Sequence, residues 1–128
     1  MTLICGRVNF FSGPHLVFKY WLRGKFMRII IVGCGKVGSS IASELNLEGH
    51  EISVVDINHG AVDKLANSLD VLGIEGNGAT YDVLIEAGAE YADLLIAATA
   101  RDEINLYSCL MAKAAGVTHT IARVRNPE

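Results

Sequence analysis

Apolar residues recur along this chain in two alternating rhythms, and the alternation is regular from residue 27 onward. Arg28-Ile-Ile-Ile-Val32 is a short unbroken apolar run, the pattern of a central strand covered on both faces. Val37, Ile41 and Leu45 follow at four-residue spacing, with Ala42 beside them and Gly49 as a stop. That is one face of a helix. Residues 52–56 predict a second strand, and Val62, Leu65, Ala66 and Leu69 a second amphipathic helix. Residues 71–75 predict a third strand. Thr80 stands where it can cap a short helix bearing Val83, Leu84 and Ala87, closed by Gly88. Residues 93–98 predict a fourth strand. A longer helix follows over 102–115, with Leu106, Leu110 and Ala114 along its apolar side, and then a fifth strand over 118–124 that Pro127 stops. Five strands alternating with four helices make an α/β fold with right-handed crossovers. The solution is a doubly wound parallel sheet, the Rossmann fold, in strand order 3-2-1-4-5. Its ligand crevice lies where the order reverses, beside the first glycine-rich turn.

Residues 1–26 follow neither rhythm. They carry Arg7, Lys19, Arg23 and Lys25 without an acid, several aromatics, and a Gly13-Pro14 pair that breaks regular structure. Three readings stay open for this N-terminal extension: a leader or misassigned start ahead of Met27, a basic and aromatic juxtamembrane piece, or a docking arm. The domain proper is 27–128. With 51% hydrophobic residues among 128, the chain has the material for one domain with a real core.

Charge narrows the partners. The net charge is -3, and beyond residue 26 seven basic residues face fourteen acidic ones. Such a body does not attract a nucleic-acid backbone at long range. A bound nucleotide is a different case, because local amide groups hold its phosphates whatever the net charge. Three scattered cysteines fit a reducing compartment rather than a disulfide framework, and four scattered histidines show no metal-ligand spacing. Neither a structural metal nor a catalytic set is expected.

The candidate chemistry sits at the switch point. Gly33-Cys34-Gly35-Lys36-Val37-Gly38 is a GxGxxG that follows a predicted strand and opens a predicted helix, with Asp56 at the end of the next strand. Gly33 permits the tight turn, Gly35 lets a pyrophosphate approach the backbone, and Gly38 lets the helix pack closely. The helix start offers free N–H groups and a partial positive charge. Asp56 can accept from ribose hydroxyls, and its charge opposes a 2′-phosphate, so NADP is disfavoured. Cys34 reads as a small residue tolerated in the turn. Lys36 either faces solvent or reaches a distal phosphate. The loops at 76–80 and 98–103 also follow strand ends; each is a ligand border or simply a turn with a helix cap.

The strings IIIVGCGKVGSSIA, VVDIN, GNGATYDVLIEAGAEYADLLIAAT, DEINLYSC and TIARVRNPE, in this order, resemble the Trk potassium-uptake regulatory subunits. More broadly, they resemble the N-terminal Rossmann half of the RCK (regulator of potassium conductance) domain. The resemblance covers 27–128. It implies a cytoplasmic, non-enzymatic subunit at the inner face of the cell membrane, forming homo-oligomers on a membrane potassium-translocating partner. It implies NAD or NADH, or ATP or ADP, as ligands. By position it assigns the phosphates to Gly33, Gly35 and Gly38, the ribose to Asp56, and the adenine end to Asn77, Ala79 and Thr80. Thr99 and Asp102 fall at the distal end, while Lys36 and Arg123 fall near the phosphates. Many relatives have Asp where this chain has Asn77. Such subunits usually continue into a further helix and a second ligand-binding half, so the chain looks like a fragment or a one-domain variant. The alternative is the cofactor domain of an NAD-dependent dehydrogenase, which needs a substrate domain and an acid–base residue not evident here. A third, weaker reading is a structural domain that has lost its ligand, against which the intact glycines and Asp56 speak.

Overall fold

The computed structural model describes residues 26–125 and, before them, the backbone of two short strands, 2–5 and 9–12. In chain order the elements are β1 (Thr2–Cys5), β2 (Asn9–Ser12), β3 (Arg28–Val32), α1 (Lys36–Leu47), β4 (Glu51–Asp56), α2 (His59–Ser68), β5 (Leu72–Glu75) and α3 (Tyr81–Glu86). A 3-10 turn (Ala89–Tyr91), β6 (Leu94–Ala97), α4 (Asp102–Ala115) and β7 (His119–Val124) complete it. One sheet runs β2-β1-β7-β6-β3-β4-β5. Its five members from β3 onward pair in parallel, which is the predicted 3-2-1-4-5 winding.

Alternate residues of each central strand serve two cores. Ile29 and Ile31 join Val54, Leu94, Ile96 and Ile121 beneath α1 and α2. Ile30 and Val32 join Val55, Ile74, Leu95 and Ala97 beneath α3 and α4. An uninterrupted apolar run is therefore needed at β3, where each buried aliphatic side chain contributes about 1.5–3 kcal/mol.

Three features depart from the sequence pattern. The fifth strand of the winding, β7, is not an edge. The antiparallel hairpin of β1 and β2 covers it, Leu3 lying opposite Arg123 and Ile4 opposite Ala122. Four-residue strands carry too little periodicity to announce themselves; pairing of β1 with β7, and of β2 with β1, defines them. The expected breaks at Gly13-Pro14 and Pro127 lie outside the described residues. Second, α4 turns its largest apolar residues outward: Leu106 is 48% and Leu110 65% exposed, and Ala114 is exposed too. Its buried residues are Asn105, Ser108, Ala112 and Ala115. Small side chains let this helix lie close to the sheet, and Asn105 is held by hydrogen bonds rather than by apolar contact. Third, Thr80 precedes α3 but does not cap it with its side chain. Its hydroxyl donates to the Asn77 carbonyl at 2.7 Å instead.

At the carboxyl ends of the strands the ladder runs on into the loops. Gly33 N–H donates to Val55 O (2.7 Å), Ala98 N–H to Val32 O (2.8 Å) and Gly76 N–H to Asp56 O (2.9 Å). Three loops thus start from one rigid shelf.

Candidate functional site

The glycines of the first loop have three different local reasons. Gly33 has φ +108°, and a Cβ there would stand 2.9 Å from the Ala98 carbonyl group. Gly38 packs against the turn that precedes it, and an added Cβ would stand 1.8 Å from Gly33 O. Both serve the fold. Gly35 is unlike them: its φ of -76° and ψ of -163° suit any residue, and a Cβ would meet nothing within 4 Å. The described residues give no reason for glycine at 35, whereas a ligand approaching the backbone does.

Gly35 is also the N-cap of α1. Among the described residues no side chain caps this helix, and no acid lies in its first turn. The first helical bond runs from Ser39 N–H to Gly35 O at 2.9 Å, so the amides of Lys36, Val37 and Gly38 precede it and have no acceptor within the helix. In α2, by contrast, Asn58 Oδ1 accepts from Ala61 N–H at 3.0 Å. The start of α1 combines free donors, the positive end of a helix dipole and open space, the requirements of an anion site. Lys36 is exposed and Val37 half-buried, Val37 packing on the core beneath α1.

Asp56 is built into the loop. Its Oδ2 accepts from Cys34 N–H at 2.7 Å and its Oδ1 from Asn58 N–H at 2.9 Å. It holds the glycine turn against β4 and leaves the capping of α2 to Asn58. A carboxylate has about four acceptor positions, so two backbone donors leave capacity for hydroxyls. Beside it, Glu75 pairs in register with Asp56 and bonds His59 Nδ1 at 2.8 Å, while His59 Nε2 lies 2.9 Å from Asp63 Oδ2. This acidic border was not singled out in the sequence.

Burial first, then the Asp56 charge, pushes the Cys34 thiol up from 9.0 to about 12. The thiolate is the reactive form. At pH 8 its fraction falls from roughly a tenth to roughly one in ten thousand. Iodoacetamide at that pH should leave Cys34 unmodified in the folded protein and alkylate it after denaturation, as mass spectrometry of the Cys34 peptide reads directly.

On the β5 side, Asn77 Oδ1 accepts from Ala79 N–H at 2.9 Å. The loop is pressed on β3, since a Cβ at Gly78 would come within 2.4 Å of Val32 Cγ1. Asn77, Ala79 and Thr80 are thereby held together in one turn over the adjacent strand ends. The uncharged Asn77 fills the turn with its own side chain.

On the β6 and β7 side lies the residue that sequence reasoning missed. Asn105 is fully buried, yet all its hydrogen-bonding capacity is used. Oδ1 accepts from Thr99 N–H (2.8 Å) and Thr99 Oγ1–H (2.7 Å). Nδ2 donates to Thr99 O (3.1 Å) and Arg123 O (2.8 Å). Asp102 accepts from Arg125 N–H at 3.1 Å on both oxygens, and Arg125 Nη2 donates to Ala100 O. Thr99, Asp102 and Arg123 are therefore brought together, with the Asp102 carboxylate directed to the end of β7. Arg123 Nη1 reaches Thr99 O at 3.4 Å. Its Nε is buried without a hydrogen-bond partner among the described residues, a donor that an anionic group would satisfy. Asn105 stands on the face that apolar spacing had assigned outward, which is why the pattern hid it.

A hollow of about 730 Å³, lined by Phe26, Leu72 and Tyr91 with Glu51, Asp70 and Glu86, opens at the opposite end of the strands. It lies away from the carboxyl ends where ligands bind in open α/β sheets. Among the described residues no helix is long and apolar enough to cross a membrane.

Residues 29–128 match the TrkA-N domain, and the chain belongs to that family. It is 41% identical over 102 residues to a Trk system potassium uptake protein TrkA homolog of Archaeoglobus fulgidus, covering 80% of this chain and 23% of that protein. It is 43% identical over 100 residues to the Trk system potassium uptake protein TrkA of Halomonas elongata, covering 77% and 22%. A TrkA homolog of Methanothermobacter thermautotrophicus is 37% identical over 102 residues, covering 80% of this chain and 47% of that one. The chain thus spans less than half the length of these relatives. Among solved structures, the Shewanella denitrificans Kef CTD in AMP-bound form superposes with a TM-score of 0.60 at 26% identity, over 68% of this chain and 52% of that one. The GsuK channel bound to NAD does so with 0.61 at 20% identity, over 73% and 17%, a likeness of fold.

Proposed function

Taking the chain as a TrkA-N domain, we propose that it is the nucleotide-binding regulatory domain of a potassium-uptake system. In this reading it acts on the cytoplasmic side of the membrane, in concert with a potassium-translocating membrane subunit. One observation carries the ligand class: the uncapped start of α1 faces open space at Gly35, with the Asp56 carboxylate fixed beside it. Phosphates fit the free amides and a ribose fits Asp56. The names of the TrkA relatives support the link to potassium uptake, and the AMP-bound Kef domain supports a nucleotide. NAD or NADH and ATP or ADP are the ligands we propose. Gly33, Cys34, Gly35, Lys36, Val37 and Gly38 would surround the phosphates, Asn77, Ala79 and Thr80 the adenine end, and Thr99 and Asp102 the far end, with Arg123 reaching the phosphates from beside Thr99. The bound nucleotide supplies no chemistry in this role; it supplies binding energy.

Regulation then follows from differential affinity. A ligand that binds two arrangements of paired domains unequally shifts their balance, and one that binds them equally shifts nothing. Reversing a 1:99 balance takes about 5.5 kcal/mol, which several sites in a multimer would share. Calorimetric titration with NAD, NADH, AMP, ADP and ATP, alongside sedimentation, tests this. Equal affinities with no change in assembly would refute the switch, and no binding at all would refute the nucleotide site.

Asp56→Ala should lower NAD affinity about tenfold through the loss of charge-assisted hydrogen bonds. It should also narrow the preference for NAD over NADP, because the charge opposing a 2′-phosphate is gone. Titration of both cofactors against both proteins measures the two effects.

A further inference from the structure

We infer that Asn105 is a positioning residue that sets how far along a nucleotide the site grips, building the wall that separates long ligands from short ones. The inference rests on the nucleotide reading above and assigns it a residue that touches no ligand.

Topology supplies the ruler. Asp56 ends β4, one strand to one side of β3, whereas Thr99 follows the end of β6 and Arg123 lies in β7, on the other side. Neighbouring strands are about 4.8 Å apart, so the Asp56 grip and this wall are separated by roughly 10–15 Å. A nucleoside monophosphate held by Asp56, with its phosphate at the start of α1, ends near β3. A dinucleotide reaches the wall.

The wall has no covalent or ladder reason to hold its shape at Thr99, which follows the last ladder bond of β6 at Ala98. Asn105 provides that reason. It accepts from the Thr99 amide and hydroxyl and donates to the carbonyls of Thr99 and Arg123. An amide N–H only donates and a carbonyl only accepts, so the orientation of the Asn105 amide is determined by its partners. The same clamp sets the strand end from which the Arg123 side chain leaves, with its buried, unpartnered Nε. The first half of the site has hydrogen bonds of its own, from the Cys34 and Asn58 amides to Asp56, although Gly33 packs on the Ala98 and Thr99 backbone. Loss of Asn105 therefore loosens chiefly the far end.

The test compares NAD with AMP on the wild-type chain, Asn105→Asp and Asn105→Ala, by calorimetry, with thermal melts confirming that each is folded. Asn105→Asp keeps the acceptors for Thr99 and loses both donors. The expected result is at least a tenfold rise in the ratio of the NAD to the AMP dissociation constant, with AMP affinity within about twofold of wild type. A residue with a merely structural role would weaken both ligands in proportion, or neither, and either result overturns the inference. If neither variant folds, Asn105→Ser, which keeps a hydroxyl at this position but cannot make all four bonds of the clamp, is read by the same ratio, and an unchanged ratio again overturns it. Wild-type protein that binds neither ligand overturns the nucleotide reading and this inference together; wild-type binding with an unchanged ratio in the variants overturns this one alone.

Discussion

Gly38→Ala is expected to leave the protein largely unfolded or severely destabilised. The added methyl would stand 1.8 Å from Gly33 O and 2.8 Å from Gly33 C, well inside any tolerable contact. Neither partner is a flexible side chain. Gly33 is anchored by its own amide on Val55 O at 2.7 Å and sits at φ +108°, with Ala98 backbone against its other side. Helix α1 is pinned in turn by Ala42 and Leu45, both buried under the sheet. Relief therefore requires moving α1 off β3 and opening the core beneath it. Overpacking against side chains costs 1–3 kcal/mol; against a fixed backbone carbonyl we expect about 3 kcal/mol or more, a large share of a domain's 5–15 kcal/mol. In a thermal melt this reads as a fall on the order of 10 °C or the absence of a cooperative transition. A midpoint within two or three degrees of wild type would show that the close approach of helix and turn is not what holds this corner together.

The opposite result is expected three residues earlier. Gly35→Val should leave the fold nearly intact and remove nucleotide binding. The Gly35 backbone is already in a conformation open to any residue, and the new side chain meets no protein atom near its Cβ. The stability cost is that of a poor N-cap, about 1 kcal/mol. The side chain would occupy the space in front of the amides of Lys36, Val37 and Gly38, where phosphates must come within hydrogen-bond distance. Affinity for NAD and ATP should fall at least about 100-fold, equivalent to roughly 2.7 kcal/mol. Unchanged affinity in a protein with a wild-type melt would place the ligand elsewhere. Taken together, the two glycines separate what the loop does for the fold from what it does for a ligand.

Local pattern was enough to find that loop. A strand, a glycine turn and a helix start are short-range objects, and Asp56 follows at the spacing that one helix and one strand impose. The winding of the five parallel strands was legible for the same reason: continuous apolar runs mean strands buried on both faces, and right-handed crossovers leave few topologies. Boundaries agreed closely, with β3 and α4 starting and ending where the pattern placed them.

What distinguishes Gly33 and Gly38 from Gly35 is written nowhere in the hexapeptide, because the reason lies in which atoms the folded chain brings within reach of each Cα. The Ala98 carbonyl that crowds Gly33 comes from the end of β6, more than sixty residues away. The same holds for α4. Periodicity assigned Leu106 and Leu110 to the core because they are the larger apolar residues. The fold buried Asn105, Ser108 and Ala112 instead. A polar residue belongs inside only if partners are waiting for it, and the partners of Asn105, on Thr99 and Arg123, come from chain segments that lie together only in the folded domain. The hairpin on β7 was hidden in the same way, since strands of four residues draw their identity from a neighbour. Hydrophobic rhythm and turn chemistry act between residues close in sequence and so survive in the sequence itself; steric fit, polar satisfaction and strand pairing act between residues close in space, and these only the tertiary structure decides.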